Sequence, residues 1–362
     1  MSESVYIHIP FCKSKCYYCS FVSFCSIEDK SEYLKSLKKE ILSNYENETL
    51  KTLYIGGGTP SILTPCQIEE LIKLFKTDGS TEITVELNPE DIDYNYLNEL
   101  YNTGVNRLSF GCQTFNDDIL KKINRRHNSK QVLKTVENAY SAGFTNLSLD
   151  FIYGLPSQTV DMFIQDLQQA AKLNLAHISL YGLKIEEGCY FFNNPPQNLP
   201  DDDTQADMYI KAVETLSNSG YKQYEVSNFS KDGLYSKHNM NYWNNGEYYG
   251  FGIAAHGYKN GMRYENFSTI KDYMSRSIKI KSSHILTTQE KLEEEIFLGL
   301  RKTEGINVAS INKKYSINFE NRYNKILEKY LGLNLLEKTS SGYKLTLQGV
   351  LVSNVILADF LE

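Results

Sequence analysis

Between residues 5 and 185, short runs rich in β-branched and aromatic residues alternate with longer amphipathic stretches. The first run is SVYIHI, the last is HISLYGL, and six pairs of run and amphipathic stretch fit in this region. Strands separated by helices at this spacing predict repeated βα units, which pair into a parallel sheet. We therefore expect an α/β fold that is a partial (β/α)6, TIM-like barrel.

The chain length favours a barrel that carries a smaller appended module. Its 362 residues exceed one ordinary compact domain, whereas barrels reach this size. From about residue 285 the pattern changes to helices, a hairpin-like LLEKTSSGYKLT and a final helix, which resembles a winged-helix α+β module. We predict a barrel over 1–230, a connecting extension over 231–284 that is irregular at 236–258, and the winged-helix-like module over 285–362.

Charge and hydropathy argue against several classes of protein. The net charge is −6, no run of five like charges occurs, and ten basic residues from Ile285 onward are balanced by ten acidic ones. A nucleic-acid partner is therefore not expected, because such partners require a basic surface. No signal peptide and no apolar stretch of membrane-span length is found. We expect a cytoplasmic protein without a transmembrane segment, which leaves room for transient membrane association.

Three of the seven cysteines are grouped directly after the first predicted strand. Cys12, Cys16 and Cys19 have the spacing C-x3-C-x2-C, and clustered thiolates bind zinc or iron–sulfur centres. Structural zinc sites need four ligands, usually as two separated pairs, and here one compact triplet occurs. An iron–sulfur cluster held by three cysteines leaves one iron free to bind a substrate, and the triplet favours this interpretation.

A zinc site completed by Cys25 or His8 is the alternative interpretation of the triplet. Cys25 is equally consistent with a fourth cluster ligand or with no role in the site. Disulfides are not expected in a reducing compartment. The remaining cysteines are predicted to be small buried hydrophobic residues: Cys66, Cys112 and Cys189.

The triplet, with the aromatic Tyr18 before its last cysteine, resembles the signature of the radical SAM superfamily. The resemblance implies a radical SAM barrel and a [4Fe–4S] cluster bound by Cys12, Cys16 and Cys19. It also implies that the open iron binds the amino and carboxylate groups of S-adenosylmethionine (SAM). In this superfamily an electron from the cluster cleaves SAM to a 5′-deoxyadenosyl radical, while the protein orients the reactants and excludes water.

Polar residues follow the predicted strands, where functional residues collect in parallel βα folds. The glycines of GGGTP, after the second strand, let the backbone approach a ligand closely, although a tight βα turn would also need them. Glu86 ends the third strand, where its carboxylate suits a ribose diol or an ammonium group; a helix-capping or surface acid is the alternative. Asp150 lies within the apolar fifth strand and needs a polar partner there.

Further motifs narrow the resemblance to one family. YIHIPFC, GGGTPS, ELNP, LSFGCQTF, NRRHN and LDFIYGLPSQT resemble the family that contains oxygen-independent coproporphyrinogen III oxidase and the HemW-type heme chaperones. The resemblance covers nearly the whole chain. NRRHN contains two adjacent arginines, and the motif match takes the first of them, Arg125, as the site residue. Matched motif by motif, the resemblance implies a SAM site lined by Tyr6, Tyr18, Gly57, Gly58, Thr59, Glu86, Gln113, Arg125, Asp150 and Gly182.

Two features favour the chaperone branch of this family. In the oxidase branch a fourth cysteine stands two residues after the third, where this chain has Phe21. The segment HNMNYW, from His238 to Trp243, matches an HNxxYW motif that the resemblance links to heme binding. A neutral histidine can ligate heme iron, and Tyr242 and Trp243 can stack on a flat macrocycle. A hydrogen-bonded loop histidine beside an aromatic packing anchor is the alternative, and His256 is a second candidate ligand.

The leading hypothesis is a heme-binding radical SAM protein that delivers heme to targets such as respiratory enzymes. The runner-up is an oxidase that decarboxylates coproporphyrinogen propionates to vinyl groups, and a third class is a zinc-stabilised interaction protein. The first hypothesis implies heme, heme-accepting proteins and an electron donor such as flavodoxin or ferredoxin as partners, and it allows a homodimer. The sequence singles out no catalytic residue.

Overall fold

A computed structural model describes residues 3–361, so the outermost residues of the first and last predicted segments lie outside it. Six strands at the centre of the main sheet run parallel, each paired with its neighbour in the sequence. They confirm the predicted partial (β/α)6 barrel. These strands are β1 (Ser4–Ile9), β2 (Thr52–Gly57), β3 (Glu82–Leu87), β4 (Arg107–Gln113), β5 (Asn146–Tyr153) and β6 (His177–Gly182).

Helices alternate with these strands, and several begin at residues that cap them. Thr64 and Asn128 each form a capping box with the glutamine three residues later, which satisfies backbone N–H groups at the helix start. The local sequence therefore determines where these helices begin. The helices are α1 (Lys30–Asn44), α2 (Pro65–Ile72), α3 (Tyr94–Asn102), α4 (Asp117–Lys122), α5 (Ser129–Ser141), α6 (Val160–Ala171), α7 (Tyr190–Asn193) and α8 (Asp202–Asn218).

The main sheet is extended at both edges by later parts of the chain. Strands β7 (Lys222–Glu225) and β8 (Asn228–Ser230) form an antiparallel pair beside β6. After helix α9 (Lys237–Trp243), strand β9 (Tyr249–Phe251) runs parallel to β1 at the other edge. The nine-stranded order is β7-β8-β6-β5-β4-β3-β2-β1-β9.

The prediction that residues 236–258 are irregular is wrong. They contain α9, β9 and the first part of a small antiparallel sheet. Asparagine and tyrosine have low helix propensity, so contacts far along the chain must stabilise α9. The carboxylate of Glu82 provides them, because it accepts hydrogen bonds from the first backbone N–H groups of the helix. The small sheet comprises β10 (His256–Lys259), β11 (Met262–Asn266) and β12 (Ile280–Ile285), and α10 (Ile270–Ser275) lies between its last two strands.

The last part of the chain has its own hydrophobic core, built from residues such as Leu292, Phe319 and Phe360. Helices and a small antiparallel sheet surround this core, in agreement with the predicted winged-helix-like α+β module. Its elements are α11 (Thr288–Leu300), β13 (Ile306–Asn307), α12 (Val308–Tyr315), α13 (Phe319–Arg322), α14 (Asn324–Gly332), β14 (Leu336–Lys338), β15 (Gly342–Leu345), α15 (Leu347–Leu351) and α16 (Ser353–Ala358).

The interior of the barrel is polar, whereas the layer between strands and helices is apolar. Along β5, Leu147, Leu149 and Phe151 belong to the apolar core, while Ser148 and Asp150 bond to side chains of neighbouring strands. Side chains alternate along a strand, so one face of each strand lines the interior. We call this interior the lumen, and it is lined by Thr52, Tyr54, Glu82, Glu86, Arg107, Ser109, Ser148, Asp150 and His177.

Replacing Phe319 by alanine is expected to destabilise the C-terminal module by about 3–5 kcal/mol, the range for removing a buried phenylalanine. Phe319 is fully buried and packs against the rings of Tyr323 and Phe360. Urea unfolding monitored by circular dichroism measures the change. Leu333→Ala is the control, because Leu333 is 58% exposed and its removal should cost less than about 0.5 kcal/mol. Equal losses for both variants would contradict this core.

Candidate cofactor site

The three cysteines lie in the loop that follows β1, at the C-terminal ends of the parallel strands. Cys12 is buried, and Cys16 and Cys19 are partly buried. The loop folds back on itself, because the N–H of Cys12 donates to the carbonyl of Phe24 at 3.0 Å. Burial raises the pKa of the Cys19 thiol to about 11. Metal ions must therefore displace protons from buried thiols here, which makes metal affinity depend on pH.

A continuous chain of hydrogen bonds joins two of these cysteines. The Thr59 hydroxyl donates to the Cys12 Sγ at 3.4 Å, and it accepts from the amide of Asn88 at 3.1 Å. Arg125 donates to the side-chain Oδ1 of Asn88 at 2.9 Å through Nη2 and to the Cys16 Sγ at 3.4 Å through Nη1. Donors aimed at sulfur stabilise thiolate ligands and orient them. The arrangement links predicted cluster ligands to the predicted SAM residues Thr59 and Arg125.

This chain of hydrogen bonds includes only the first of the two adjacent arginines, and it contains one residue, Asn88, that the motifs alone do not single out. Arg125 reaches the cysteine loop, whereas Arg126 is exposed. Asn88, which bonds to both Thr59 and Arg125, was not singled out from the sequence. Its position in ELNP, directly after the third strand, was the available signal.

The donor set does not support the zinc alternative with His8. Both ring nitrogens of His8 are engaged, Nδ1 with the Tyr6 hydroxyl at 3.0 Å and Nε2 with the Val22 carbonyl at 2.8 Å. Within residues 3–361, no group of three or more histidine, cysteine or acidic side chains is arranged to hold a single metal ion. In a [4Fe–4S] cluster held by three cysteines, each cysteine binds a different iron, so the triplet fits a cluster better than one ion. Cys25 is exposed and follows Phe24 in the same loop. Cys112 and Cys189 are buried, as predicted, but the prediction for Cys66 is wrong, because Cys66 lies exposed in the first turn of α2.

Glu86 lies at the C-terminal end of β3 and is held by two donors. The Tyr54 hydroxyl donates to its Oε1 at 2.6 Å, and the N–H of Gly57 donates to its Oε2 at 3.1 Å. Burial raises the pKa of Glu86 to about 7, and the charge of Asp150 adds to this effect. The carboxyl group is therefore poised between its neutral and ionised forms near neutral pH.

The glycine run after β2 is required by close packing around it. Gly57 has a φ of +112°, and a Cβ there would lie 2.6 Å from the His8 ring. A Cβ on Gly58 would lie 2.8 Å from the Phe11 carbonyl oxygen of the cysteine loop. Both positions exclude larger residues, so the run lets the end of β2 pack closely against His8 and the start of the cysteine loop.

Asp150 has the polar partners that its place in an apolar strand demanded. The Ser109 hydroxyl donates to its Oδ2 at 2.9 Å, and burial raises the pKa of its carboxyl group. Gln113 is buried, at a register shift of β4, and has a φ of +67°. A left-handed glutamine in a strand is strained, and such strain is concentrated at functional sites.

Of the remaining predicted SAM residues, Tyr18 and Gly182 lie at the same end of the barrel as the cysteines, whereas Tyr6 lies in the middle of β1. Tyr18 is partly buried in the cysteine loop, and Tyr6 stacks on Tyr54 with ring centroids 6.1 Å apart. Gly182 ends β6, where a Cβ would touch the Tyr153 ring at 3.0 Å. The fold thus gathers the predicted SAM residues from the six parallel strands and the loops that follow them.

His238 lies far from the cysteines along the barrel. Its Nδ1 is 2.8 Å from the hydroxyl of Thr52, the first residue of β2, so it sits at the N-terminal end of the strands. Its Nε2 is 2.8 Å from the Tyr242 hydroxyl, and burial lowers the pKa of His238 to about 3. A neutral histidine with both nitrogens occupied has none free for iron. The geometry therefore disagrees with His238 as a heme ligand.

The neighbours of His238 in the motif are also occupied by contacts within the protein. The Tyr242 ring packs edge-on against the rings of His238 and Tyr248. The guanidinium of Arg301, which follows α11, lies over the Trp243 ring at 4.5 Å. The motif therefore packs α9 between the barrel and the C-terminal module, as the packing alternative proposed.

His256 differs from the other histidines, all of which lie within the described residues. His8, His127, His177 and His238 are buried with ring nitrogens in hydrogen bonds, and His284 bonds to Glu290. His256 is exposed at the start of β10, and no hydrogen bond occupies its ring nitrogens among residues 3–361. An added ligand would find an accessible imidazole here.

Two family models match separate parts of this chain. A family model described as the radical SAM superfamily matches residues 6–170, and one described as the HemN C-terminal domain matches residues 286–352. The chain is 38% identical to the heme chaperone HemW of Bacillus subtilis over 99% of both chains. It is 39% identical to that of Lactococcus lactis, over 99% of this chain and 97% of the relative. The chain belongs to the HemW family of radical SAM proteins.

Membership of the HemW family implies a [4Fe–4S] cluster and SAM as cofactors. A solved structure, coproporphyrinogen III oxidase (HemN) from Escherichia coli, superimposes with a TM-score of 0.87 over 99% of this chain and 89% of that one. Its sequence identity is 24%, so the similarity supports the shared fold. Among residues 3–361, no helix has the length and apolar character needed to cross a bilayer.

Proposed function

We propose that this chain is a heme chaperone that binds heme and delivers it to acceptor proteins. The observation that carries the proposal is its similarity, over nearly the full chain, to two proteins named heme chaperone HemW. The identity to these relatives is 38–39%, compared with 24% to the oxidase that shares the fold. Phe21 supports the same branch, because it is a 68% exposed phenylalanine where the oxidase resemblance requires a fourth cysteine.

In this proposal Cys12, Cys16 and Cys19 hold the [4Fe–4S] cluster, which when bound supplies the electron that cleaves SAM. Arg125 and Thr59 donate hydrogen bonds to two of the sulfur atoms and orient them. The Glu86 carboxylate binds a cationic or hydroxyl group of SAM. The remaining SAM contacts come from the motif residues at the same end of the barrel.

Heme is the cargo in this proposal, and His256 is its axial ligand. Neutral imidazole is a competent ligand of heme iron. His256 is exposed, whereas His238 would have to break a hydrogen bond to Thr52 or Tyr242 before binding iron. The acceptors are heme proteins such as respiratory enzymes, the electron donor is a flavodoxin or ferredoxin, and the setting is the cytoplasm. We also propose that two copies of the chain associate as a homodimer.

One anaerobic preparation, reconstituted with iron and sulfide, tests the proposal against the oxidase alternative. Hemin titration followed by absorbance is expected to saturate at a fixed ratio of heme to protein. Incubation with coproporphyrinogen III, SAM and reductant is expected to give no protoporphyrinogen IX. Catalytic formation of that product would show that the chain is an oxidase and would refute the chaperone function.

SAM binding is expected to tighten by about tenfold between pH 6 and pH 8. A carboxyl group with a pKa of about 7 is about one-tenth ionised at the lower pH and about nine-tenths at the higher. The cationic SAM should favour the ionised form, and the titratable or charged groups that interact with Glu86 are Tyr54, Tyr6, Asp150, Arg107, Tyr181 and Tyr242. Equilibrium dialysis with labelled SAM measures the profile.

Glu86→Gln is the control for this pH profile, because it keeps the shape of the side chain and removes the titration. The amino group of SAM also titrates in this pH range. Its titration affects the wild type and the variant equally, so the difference between their profiles reports on Glu86. The variant should bind SAM more weakly at pH 8 and show a flatter profile. Parallel profiles for the two proteins would contradict a role for Glu86 ionisation.

A further inference from the structure

Helix α9 closes the N-terminal end of the lumen and sends one side chain into it. The backbone N–H groups of Lys237 and His238 donate to the two carboxylate oxygens of Glu82, each at 3.1 Å. The His238 side chain is 1% exposed, and its ring nitrogens are held by Thr52 and Tyr242. The imidazole is therefore fixed in one orientation at this end of the barrel.

The fixed imidazole supports Tyr54. The two rings stack with centroids 5.0 Å apart and an interplanar angle of 28°. Tyr6 also stacks on Tyr54, at 6.1 Å and 29°. A Cβ on Gly56 would lie 2.8 Å from the Tyr54 ring, so the ring is confined from this side as well. Tyr54 consequently has little freedom to rotate.

The hydroxyl of Tyr54 is one of two donors that orient the Glu86 carboxylate. It lies 2.6 Å from Oε1, and the second donor is the Gly57 N–H at 3.1 Å from Oε2. A hydrogen bond to a charged group is strong and depends on direction, so a displaced hydroxyl would let the carboxylate turn. A direct path of contacts thus runs from His238 through Tyr54 to Glu86.

We propose that His238 is a positioning residue for SAM, which acts by stacking on Tyr54 and thereby orienting the Glu86 carboxylate. The inference rests on the proposed function, because it takes Glu86 as a SAM ligand. In this inference the HNxxYW histidine affects the cofactor site at the C-terminal ends of the strands. The imidazole itself lies at their N-terminal ends and acts through Tyr54. Heme binding does not require this histidine in our account.

The test measures SAM and heme affinities on the same reconstituted full-length protein. The variants are Tyr54→Phe, which removes one hydroxyl, His238→Ala and the double variant. Each single change is expected to raise the SAM dissociation constant by about tenfold, the typical effect of losing a hydrogen bond to a charged group. The double variant should match Tyr54→Phe, because His238 acts through the missing hydroxyl. Heme affinity should stay unchanged in all three.

Asn241→Ala is the matched control on the same helix. Asn241 bonds to the carbonyl oxygens of Gly246 and Glu247, so its loss weakens α9 without removing a contact to Tyr54. Its SAM affinity should equal that of the wild type. A Tyr54→Phe variant with wild-type SAM affinity, or effects that multiply in the double variant, would overturn the inference. Loss of heme binding with unchanged SAM binding in His238→Ala would overturn it too, yet leave the chaperone proposal intact.

Discussion

Alanine in place of Cys12, Cys16 or Cys19 is expected to abolish the cluster. The wild-type protein, reconstituted anaerobically, should contain about four iron atoms and four sulfide ions per chain and show the brown colour of a [4Fe–4S] centre. Each variant should lose most of this iron, because the three thiols lie in one loop and no other cysteine replaces them in the arrangement with Thr59 and Arg125. Iron and sulfide assays and absorbance measure the loss.

Cys25→Ala and Cys66→Ala are the controls for the cysteine variants. Both cysteines are exposed, and neither belongs to the triplet. Both variants should retain the wild-type iron content. If Cys25→Ala also lost its iron, Cys25 would be a fourth ligand. If the wild-type protein bound zinc and no iron, the zinc-stabilised interaction protein would be the correct class.

Replacement of His256 by alanine is expected to weaken heme binding by about tenfold or more, which corresponds to at least about 1.4 kcal/mol. The loss of an axial nitrogen should also change the Soret absorption of the bound heme. His256 is exposed, and no hydrogen bond to described residues competes for its ring nitrogens. Hemin titration of the reconstituted protein, followed by absorbance, measures both effects.

His284→Ala is the matched control for His256. It removes an exposed histidine from the same small sheet, and that histidine is already paired with Glu290 at 2.8 Å. Its heme affinity and spectrum should be those of the wild type. A His256→Ala variant that binds heme normally, beside a His238→Ala variant that does not, would reverse our assignment of the ligand.

Much of the barrel could be predicted because its signals are local. The alternation of strands and helices, and the capping residues Thr64 and Asn128, lie within short windows of sequence. The cysteine triplet is equally local, and its position after β1 places it at the C-terminal ends of the strands. Motif resemblance then identified the polar residues at this end of the barrel.

The parts that sequence could not predict depend on contacts between distant residues. Helix α9 is short and rich in asparagine, and Glu82, its capping carboxylate, lies more than 150 positions earlier in the chain. Strand β9 has only three residues, and it pairs with β1, which lies near the start of the sequence. The placement of His238 at the lumen depends on such contacts, because Glu82 and Thr52 hold its backbone and its ring. A motif alone therefore could not show that its histidine is turned away from solvent.

The most direct test of the chaperone function is heme delivery. The reconstituted protein, loaded with heme and freed of excess, is mixed with membranes that contain a heme-free respiratory oxidase, and oxygen consumption is followed. We predict that the loaded protein restores respiration faster than the same amount of heme bound to albumin, and that the His256→Ala protein does not. Restoration no faster than from albumin would contradict the proposal that this chain delivers heme.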